Sequence, residues 1–393
     1  MNVVERTWLF ACAALACGEG LASLAPGGAD AWPFPLIAAV PVVLLGYGFS
    51  LRGWRYAVVF LVGVAAFWFA SVEIERDFRL SPWLRGARRA EYARRVETPA
   101  ARGLSRRMGL GLGHDPFAAS LNRAMLLGER RAMPRAAKRA FVDSGTIHVF
   151  AVSGLHVMVV AKVLMVFAAL LFVPYRLQGA AAMPAVWWYV AATGAPPSAV
   201  RAALMATFYV AAPLFWRKAN GLMAWSLAFM SVHLANPRQI SDVGSRLSFA
   251  VMLVLVLAGR ATRGMRSGWL KAICLTAAAW AAGVPIAAMA FGRVSPGGLL
   301  ANIVLVAAAG HSVAAGAAGV VASFVSETLA AHLNNLSAIV TRAMAGMASV
   351  VAEIPFSSVD TGRWGFSVCA AWYVAIALAL FVAARARRRR DLV

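Results

Sequence analysis

Within 15 residues the chain places His148, Ser153, His156 and Lys162, all inside or at the edge of an apolar stretch at 147–173. Imidazole exchanges protons near neutral pH, a hydroxyl can donate or attack, and an ammonium can screen an anion. On a straight helix at about 100° per residue, His148, His156 and Lys162 share an arc of about 120°, with Ser153 off that face. Ionisable groups in an apolar span are costly and turn toward the bundle interior or water. Each histidine taken alone also has a plainer role, as a hydrogen-bonded packing residue between helices. Ser153 with His156 or His148 could form a Ser–His hydrolase dyad, although residues at i, i+3 on one helix seldom align nucleophile and base. Gly154 weakens the helix in mid-stretch. A break at Ser153-Gly154 would aim backbone N–H groups and the positive dipole end inward, where anions bind.

Other residues carry weaker signals. Residues 134–142 form an amphipathic helix, with Pro134 suited to its first position and Arg135, Lys138 and Arg139 on one face. Asp143-Ser144-Gly145 ends it and Thr146 can cap the next element. Pro197 opens another apolar run, Ser198 can cap it, and Arg201 falls in its first turn. A cation at a positive helix end needs an anion or carboxylate to answer it. A lipid-facing Arg is expensive, so Arg201 is expected to point inward, near the 148–162 segment. Asp242 and Arg246, at i, i+4, suit a structural ion pair as well as a polar path. The Gly/Ala-rich run at 307–319, with Asn302 and His311 on the same stretch, reads as close helix packing more than as a pore wall. Cysteines at 12, 17, 274 and 369 form no CxxC, so no disulfide framework, metal centre or cofactor is expected.

The elements that must position these groups follow from composition. Of 393 residues, 61% are hydrophobic and 14% charged, which excludes an ordinary globular domain. The fold class expected is all-α, a polytopic transmembrane helical bundle of about 10–12 spans, some broken or short. Candidate spans are 7–24, 34–50, 55–72, 147–173, 182–195, 198–216, 219–235, 246–259, 269–291, 297–322, 335–352 and 364–384. Arg342 interrupts the eleventh of these, and Pro285 is expected to kink the ninth. The first reads as a retained helix rather than a cleaved signal peptide, because Glu19 lies inside its apolar part. Basic groups at 52–55, 217–218, 260–271 and 385–390 place both termini in the cytoplasm if twelve spans cross.

The net charge is +22, and 34 of the 38 basic residues are Arg, the phosphate-binding cation. That bias suits a polyanion partner, nucleic acid or lipid phosphate, and equally a GC-rich genome with positive-inside loops. Half of it lies at 76–139, with 16 basic and 5 acidic residues. This stretch reads as an anion-gathering vestibule, an amphipathic interfacial layer or a solvated loop. The division expected is therefore a three-span segment at 1–72, a basic, mostly helical extramembrane or interfacial segment at 73–143, a membrane core at 144–322, and a membrane segment with a basic cytoplasmic tail at 323–393.

The run AMLLGERRAMPRAAKRAFVDSGTIHVFAVSGLHVMVV at 124–160 resembles the signature of ComEC-type competence proteins. Three later segments resemble that family in the same order: PPSAVRAALM at 196–205, Asn236-Pro237 through Asp242 to the RLSF at 246–249, and FGRVS at 291–295 with LLAN at 299–302. Asn236 stands where the family usually has Asp, and Arg246 where it usually has Gln. The resemblance implies a bacterial inner-membrane protein that takes up single-stranded DNA. It implies as partners membrane lipid, single-stranded DNA, and a separate nuclease, DNA receptor and cytoplasmic motor. The family's HxHxDH metal motif is absent, so no nuclease domain is expected in this chain, nor a full oligonucleotide-binding domain in the short 73–123 stretch. The residues the resemblance and the span chemistry point to together are His148, Ser153, Gly154, His156, Lys162, Pro197, Arg201, Asp242 and Arg246, lining a DNA path without covalent chemistry. The alternatives are a transporter of a small anion or lipid phosphate, and the intramembrane Ser–His hydrolase.

Overall fold

The structure, a computed structural model, describes residues 99–376 except 132, 237, 238, 240, 241, 355–358, 366 and 370. The expected spans at 7–24, 34–50 and 55–72, and the basic tail, lie outside the described residues. Eleven α-helices with assigned bounds follow one another: α1 (Pro99–Met108), α2 (Pro116–Leu127), α3 (Arg135–Asp143), α4 (Gly154–Leu170), α5 (Tyr175–Ala192), α6 (Pro197–Ala211), α7 (Gly221–Ala235), α8 (Val243–Ala261), α9 (Gly268–Phe291), α10 (Pro296–Ala322) and α11 (Glu327–Glu353). Single 3-10 turns at Ile147–Phe150 and Ala212–Phe215 precede α4 and extend α6. Two-residue strands, β1 (Arg293–Val294) and β2 (Val359–Asp360), pair antiparallel. Five of these segments are long and apolar enough to cross a membrane: Pro197–Phe215, α8, α9, α10 and α11. Apolar α4 and α7 are shorter, as is a helix at Ser367–Ile376.

Side-chain caps start many of these helices. Asp115 caps α2, Asn220 α7, Asp242 α8, Ser267 α9 and Ser326 α11, each accepting from a backbone N–H of the first turn. Gly128 (φ 74°) and Gly292 (φ 68°) close α2 and α9 in the left-handed region. Lipid tails are as apolar as leucine, so helices associate through close fit and interhelical hydrogen bonds rather than through hydrophobic burial. The α10–α11 hairpin does both. Its small residues let α2 and α11 approach: a Cβ on Gly316 would collide with Leu126, and one on Gly319 would stand 2.5 Å from Asn334 Oδ1.

Between these helices runs a fully buried polar network. Asn122 on α2 donates to the Asn334 carbonyl (3.1 Å) and accepts from Ser337 Oγ (2.9 Å) and Thr341 Oγ1 (3.4 Å). Ser312 on α10 lies 2.9 Å from Ser337, and Asn334 Nδ2 donates to the carbonyls of Arg107 (2.8 Å) and Leu110 (3.1 Å). Interhelical bonds of this kind contribute about 0.6 kcal/mol each, and their directions hold α2 in register on α11. The basic stretch therefore contributes α1–α3 to the same core as α4–α6, α10 and α11. Leu121, Ala124 and Met125 of α2 are wholly buried there.

Several expectations are corrected. The 147–173 span is not one helix: the chain makes a 3-10 turn, runs extended at Ala151 and Ser153, and starts α4 at Gly154. The interruption expected at Ser153-Gly154 is present. Pro134 precedes α3 rather than opening it, and α5 starts at Tyr175 behind Pro174, seven residues before the expected 182, running through Pro184. Ser198 does not cap α6; its hydroxyl donates to the Val152 carbonyl (2.8 Å). Arg342 does not break α11, because Asp115 answers it at 2.6 Å. The small-residue run on α10 packs against α2 and α11, as close packing requires.

The hairpin contact predicts two unlike glycine variants. Gly319→Ala drives a Cβ into an amide held by two hydrogen bonds and lowers stability by about 1–3 kcal/mol. Gly346→Ala on α11, with nothing within 4 Å of the new Cβ, is neutral or gains up to about 1 kcal/mol. Thermal unfolding of the two proteins in detergent checks the contrast.

Candidate functional site

The site is built from helix ends. The last carbonyls of a helix have no partner along its own axis. α2 ends among α4, α5 and α10, where water is excluded. The Ala124 carbonyl takes the N–H of Gly128. That of Met125 takes His156 Nε2 at 2.8 Å, and that of Leu126 takes the Tyr189 hydroxyl at 2.7 Å. A carbonyl only accepts, which assigns the imidazole proton to Nε2 and leaves a lone pair on Nδ1. That lone pair faces the start of α4. Ser153 N–H lies 3.4 Å from it and Ser153 Oγ 3.2 Å. One neutral ring thus answers the end of α2 and the beginning of α4, and only this tautomer does both.

α6 starts beside the same break. Ser198 holds the Val152 carbonyl, and the site of a Cβ on Gly154 lies 3.6 Å from Ala202. One residue along α6, Arg201 turns the other way, toward α7 and α8, and is 3% exposed. Its Nη2 donates to the Gly244 carbonyl at 2.9 Å, and its guanidinium carbon stands 5.9 Å from the Phe249 ring. Its Nε and Nη1 have no hydrogen-bond partner among the described residues, and neither has the buried Ser245 Oγ. Asp242 accepts the Ser245 N–H at 2.7 Å. An aromatic cluster of Trp225, Phe229, His233 and Phe249 packs on this side of Arg201, with His233 on Phe229 at 4.0 Å. Arg201 points inward as expected, but its hydrogen bond goes to α8 and not to 148–162.

The nine residues singled out by sequence fall into three places. Ser153, Gly154 and His156 meet at the α2–α4 junction. Arg201 and Asp242 meet at the start of α8, and Pro197 begins α6 between the two. His148, Lys162 and Arg246 are exposed. The common face expected of His148, His156 and Lys162 does not form, because the break at 151–153 separates His148 from α4, and Lys162 lies on the outer side of α4. His148 Nδ1 lies instead 3.2 Å from the Gly145 carbonyl. Tyr189 and Asn122 were not anticipated. Their only signal is a lone hydroxyl or amide in an apolar helix, where a polar group must find a partner. Among the described residues no group of three His, Cys, Asp or Glu could hold a metal ion.

A family model described as Competence protein matches residues 125–386. The chain belongs to that family. It is a multi-pass helical membrane protein of the Competence family, and the matched region holds the α2–α4 junction and the Arg201 pocket. It is also 30% identical over 142 residues to ComE operon protein 3 of Bacillus subtilis (strain 168), a match covering 36% of this chain and 18% of that protein. The matched stretch is thus less than a fifth of that relative's length. No solved structure matches the chain.

Two substitutions test the junction. His156→Phe strips partners from a buried carbonyl and a helix start, costing about 2–4 kcal/mol. His156→Gln keeps the side chain that a Ser-x-x-Gln cap requires and loses less. Tyr189→Phe costs about 1–3 kcal/mol through the Leu126 carbonyl. Denaturation midpoints in detergent, in the order Gln above Phe at 156, check the assignment.

Proposed function

We propose that this chain is the inner-membrane module of a DNA-uptake apparatus, passing a single strand inward between its helices. The observation that carries the reading is the gathering of the starts of α4, α6 and α8 around Ser198 and Arg201, in a chain of the Competence family. Helix N-termini present N–H donors and a partial positive charge to anions without covalent chemistry. The likeness to ComE operon protein 3 of Bacillus subtilis points the same way. In this reading the nuclease, the DNA receptor and the cytoplasmic motor are separate proteins, and the lipid bilayer is the solvent.

The direction follows from charge. Arg260 donates to Asn220 at 2.8 Å, and Arg176 covers Trp216 at 4.7 Å. The α4–α5, α6–α7 and α8–α9 turns thus lie at one basic end, with Arg217, Lys218, Arg263 and Arg266. By the positive-inside rule that end faces the cytoplasm.

A second reading has one observation in its favour, the 3.2 Å between Ser153 Oγ and His156 Nδ1. That is hydrogen-bonding reach for a nucleophile and its base. The same lone pair also faces the N–H of Ser153, which suits a helix cap better than an activated hydroxyl. Intact-mass measurement after treatment of the purified protein with a fluorophosphonate is expected to show no adduct; a covalent adduct lost in Ser153→Ala would establish the hydrolase instead.

Deletion of the gene in a naturally competent host is expected to abolish entry of labelled DNA and to be rescued by the intact chain. Normal entry in the deletion strain overturns the proposal. In purified protein, removing each phosphate-contacting cation lowers the salt slope of oligonucleotide binding by about 0.7. Arg201→Gln, Lys162→Gln and Arg246→Gln, measured on two unrelated sequences, show which of the three touches the strand.

A further inference from the structure

The geometry points to an oxyanion pocket beneath the N-terminus of α8, with Arg201 and Ser245 as its floor and one phosphate of the nucleic-acid backbone as its ligand. This rests on the DNA-uptake reading and names where that strand is gripped. Among the described residues Arg201 is almost wholly buried yet leaves Nε and Nη1 unanswered, and Ser245 Oγ, buried beside the carbonyl that holds Nη2, is unanswered too. Buried polar groups are nearly always paired, and a charged one left unpaired carries the largest cost. Three unspent donors at one place, on the positive end of a 19-residue helix, are what an oxyanion accepts from. Asp242 and Gly244 are exposed while Arg201 and Ser245 are buried behind them, so an anion would reach these donors by opening a way past Asp242. Asp242 plays a second part there. Its carboxylate caps α8 through the Ser245 N–H and interacts with the Arg201 charge. An entering phosphate competes with it, which keeps the grip weak enough for a strand to move on.

Asp242 gives the test its sign. Asn caps a helix as well as Asp does but brings no charge. Calorimetric titration of the full chain in detergent with inorganic phosphate is expected to show affinity lowered about tenfold or more by Arg201→Gln, and about threefold by Ser245→Ala. Asp242→Asn raises it several-fold. Folded variants with unchanged affinity overturn the pocket, as does Asp242→Asn weakening phosphate. If Arg201→Gln fails to fold, Ser245→Ala and Asp242→Asn still decide, in opposite directions. Two further arms identify the source of the phosphate. A 12-residue oligothymidylate is expected to compete with inorganic phosphate in the wild type and not in Arg201→Gln. Phosphatidylglycerol nanodiscs are expected to leave phosphate affinity as it is in phosphatidylcholine. Competition by the lipid alone overturns the nucleic-acid assignment and makes this a headgroup site. Arg201-dependent phosphate binding without oligonucleotide competition sinks the DNA reading and leaves an anion pocket, whereas no phosphate binding at all sinks the pocket and leaves DNA entry to be judged by the deletion strain.

Discussion

A helix that stops inside an apolar bundle leaves carbonyls with nowhere to turn, and α2 stops there. In water the solvent would answer them; between packed helices each unpaired group costs about 1–3 kcal/mol or more. His156 and Tyr189 meet that demand from two different helices, at 2.8 Å and 2.7 Å. Once they do, the placement of α4 and α5 relative to α2 is no longer free. His156 can reach Met125 only if α4 begins near Gly154, since a continuous helix from 147 would carry the ring on a longer, differently phased rod. The break at 151–153 and the burial of α2 are thus one feature seen from two sides. Ser198 extends the arrangement to α6 through the Val152 carbonyl, and Arg201 extends it to α8.

That dependence explains which parts of the fold the amino-acid sequence discloses. Apolar runs, capping residues and glycines report on a helix by itself, so the later spans and the interruption at Ser153-Gly154 are legible. Arg342 misleads because its partner, Asp115, stands 227 positions away. In the described part of the 73–143 stretch, charge and burial are set by different residues for a related reason. Its average charge is set by many arginines, but the burial of α2 is set by Leu121, Asn122, Ala124 and Met125, four residues whose partners lie on α4, α10 and α11. Composition averages over both. The face shared by His148, His156 and Lys162 fails because it assumes a straight helix across the very break that Gly154 announces.

The candidate site is legible to a similar depth. Ser153, His156, Arg201 and Asp242 stand out as polar groups in apolar surroundings, and all four take part in helix-end contacts. What each of them contacts is another matter. The partners of His156, Arg201 and Ser198 are backbone carbonyls, and a carbonyl is present at every residue and marked by none. Tyr189 is hidden for the same reason. Resemblance to a family adds the residues in their order along the chain, but the pairing of His156 with Met125, and of Arg201 with Gly244, comes only from the fold.

Helix ends also bear on why a strand would pass through such a bundle at all. A path lined by fixed, unpaired cations would hold a polyanion tightly at every step, and each lysine or arginine facing hydrocarbon would cost several kcal/mol in its absence. Helix N-termini avoid both problems. Their N–H groups are satisfied in part by caps such as Asn220 and Asp242 when no anion is present, and their partial charge is about half of one unit. The one buried full charge among the described residues, Arg201, interacts with the Asp242 carboxylate and lies against an aromatic ring, so that it is tempered rather than bare. Conduction needs sites that bind well enough to admit an ion and weakly enough to release it. In the proposed reading, a bundle whose helix starts are capped in part by side chains, as Asp242 caps α8, would meet that requirement with ordinary hydrogen-bond chemistry.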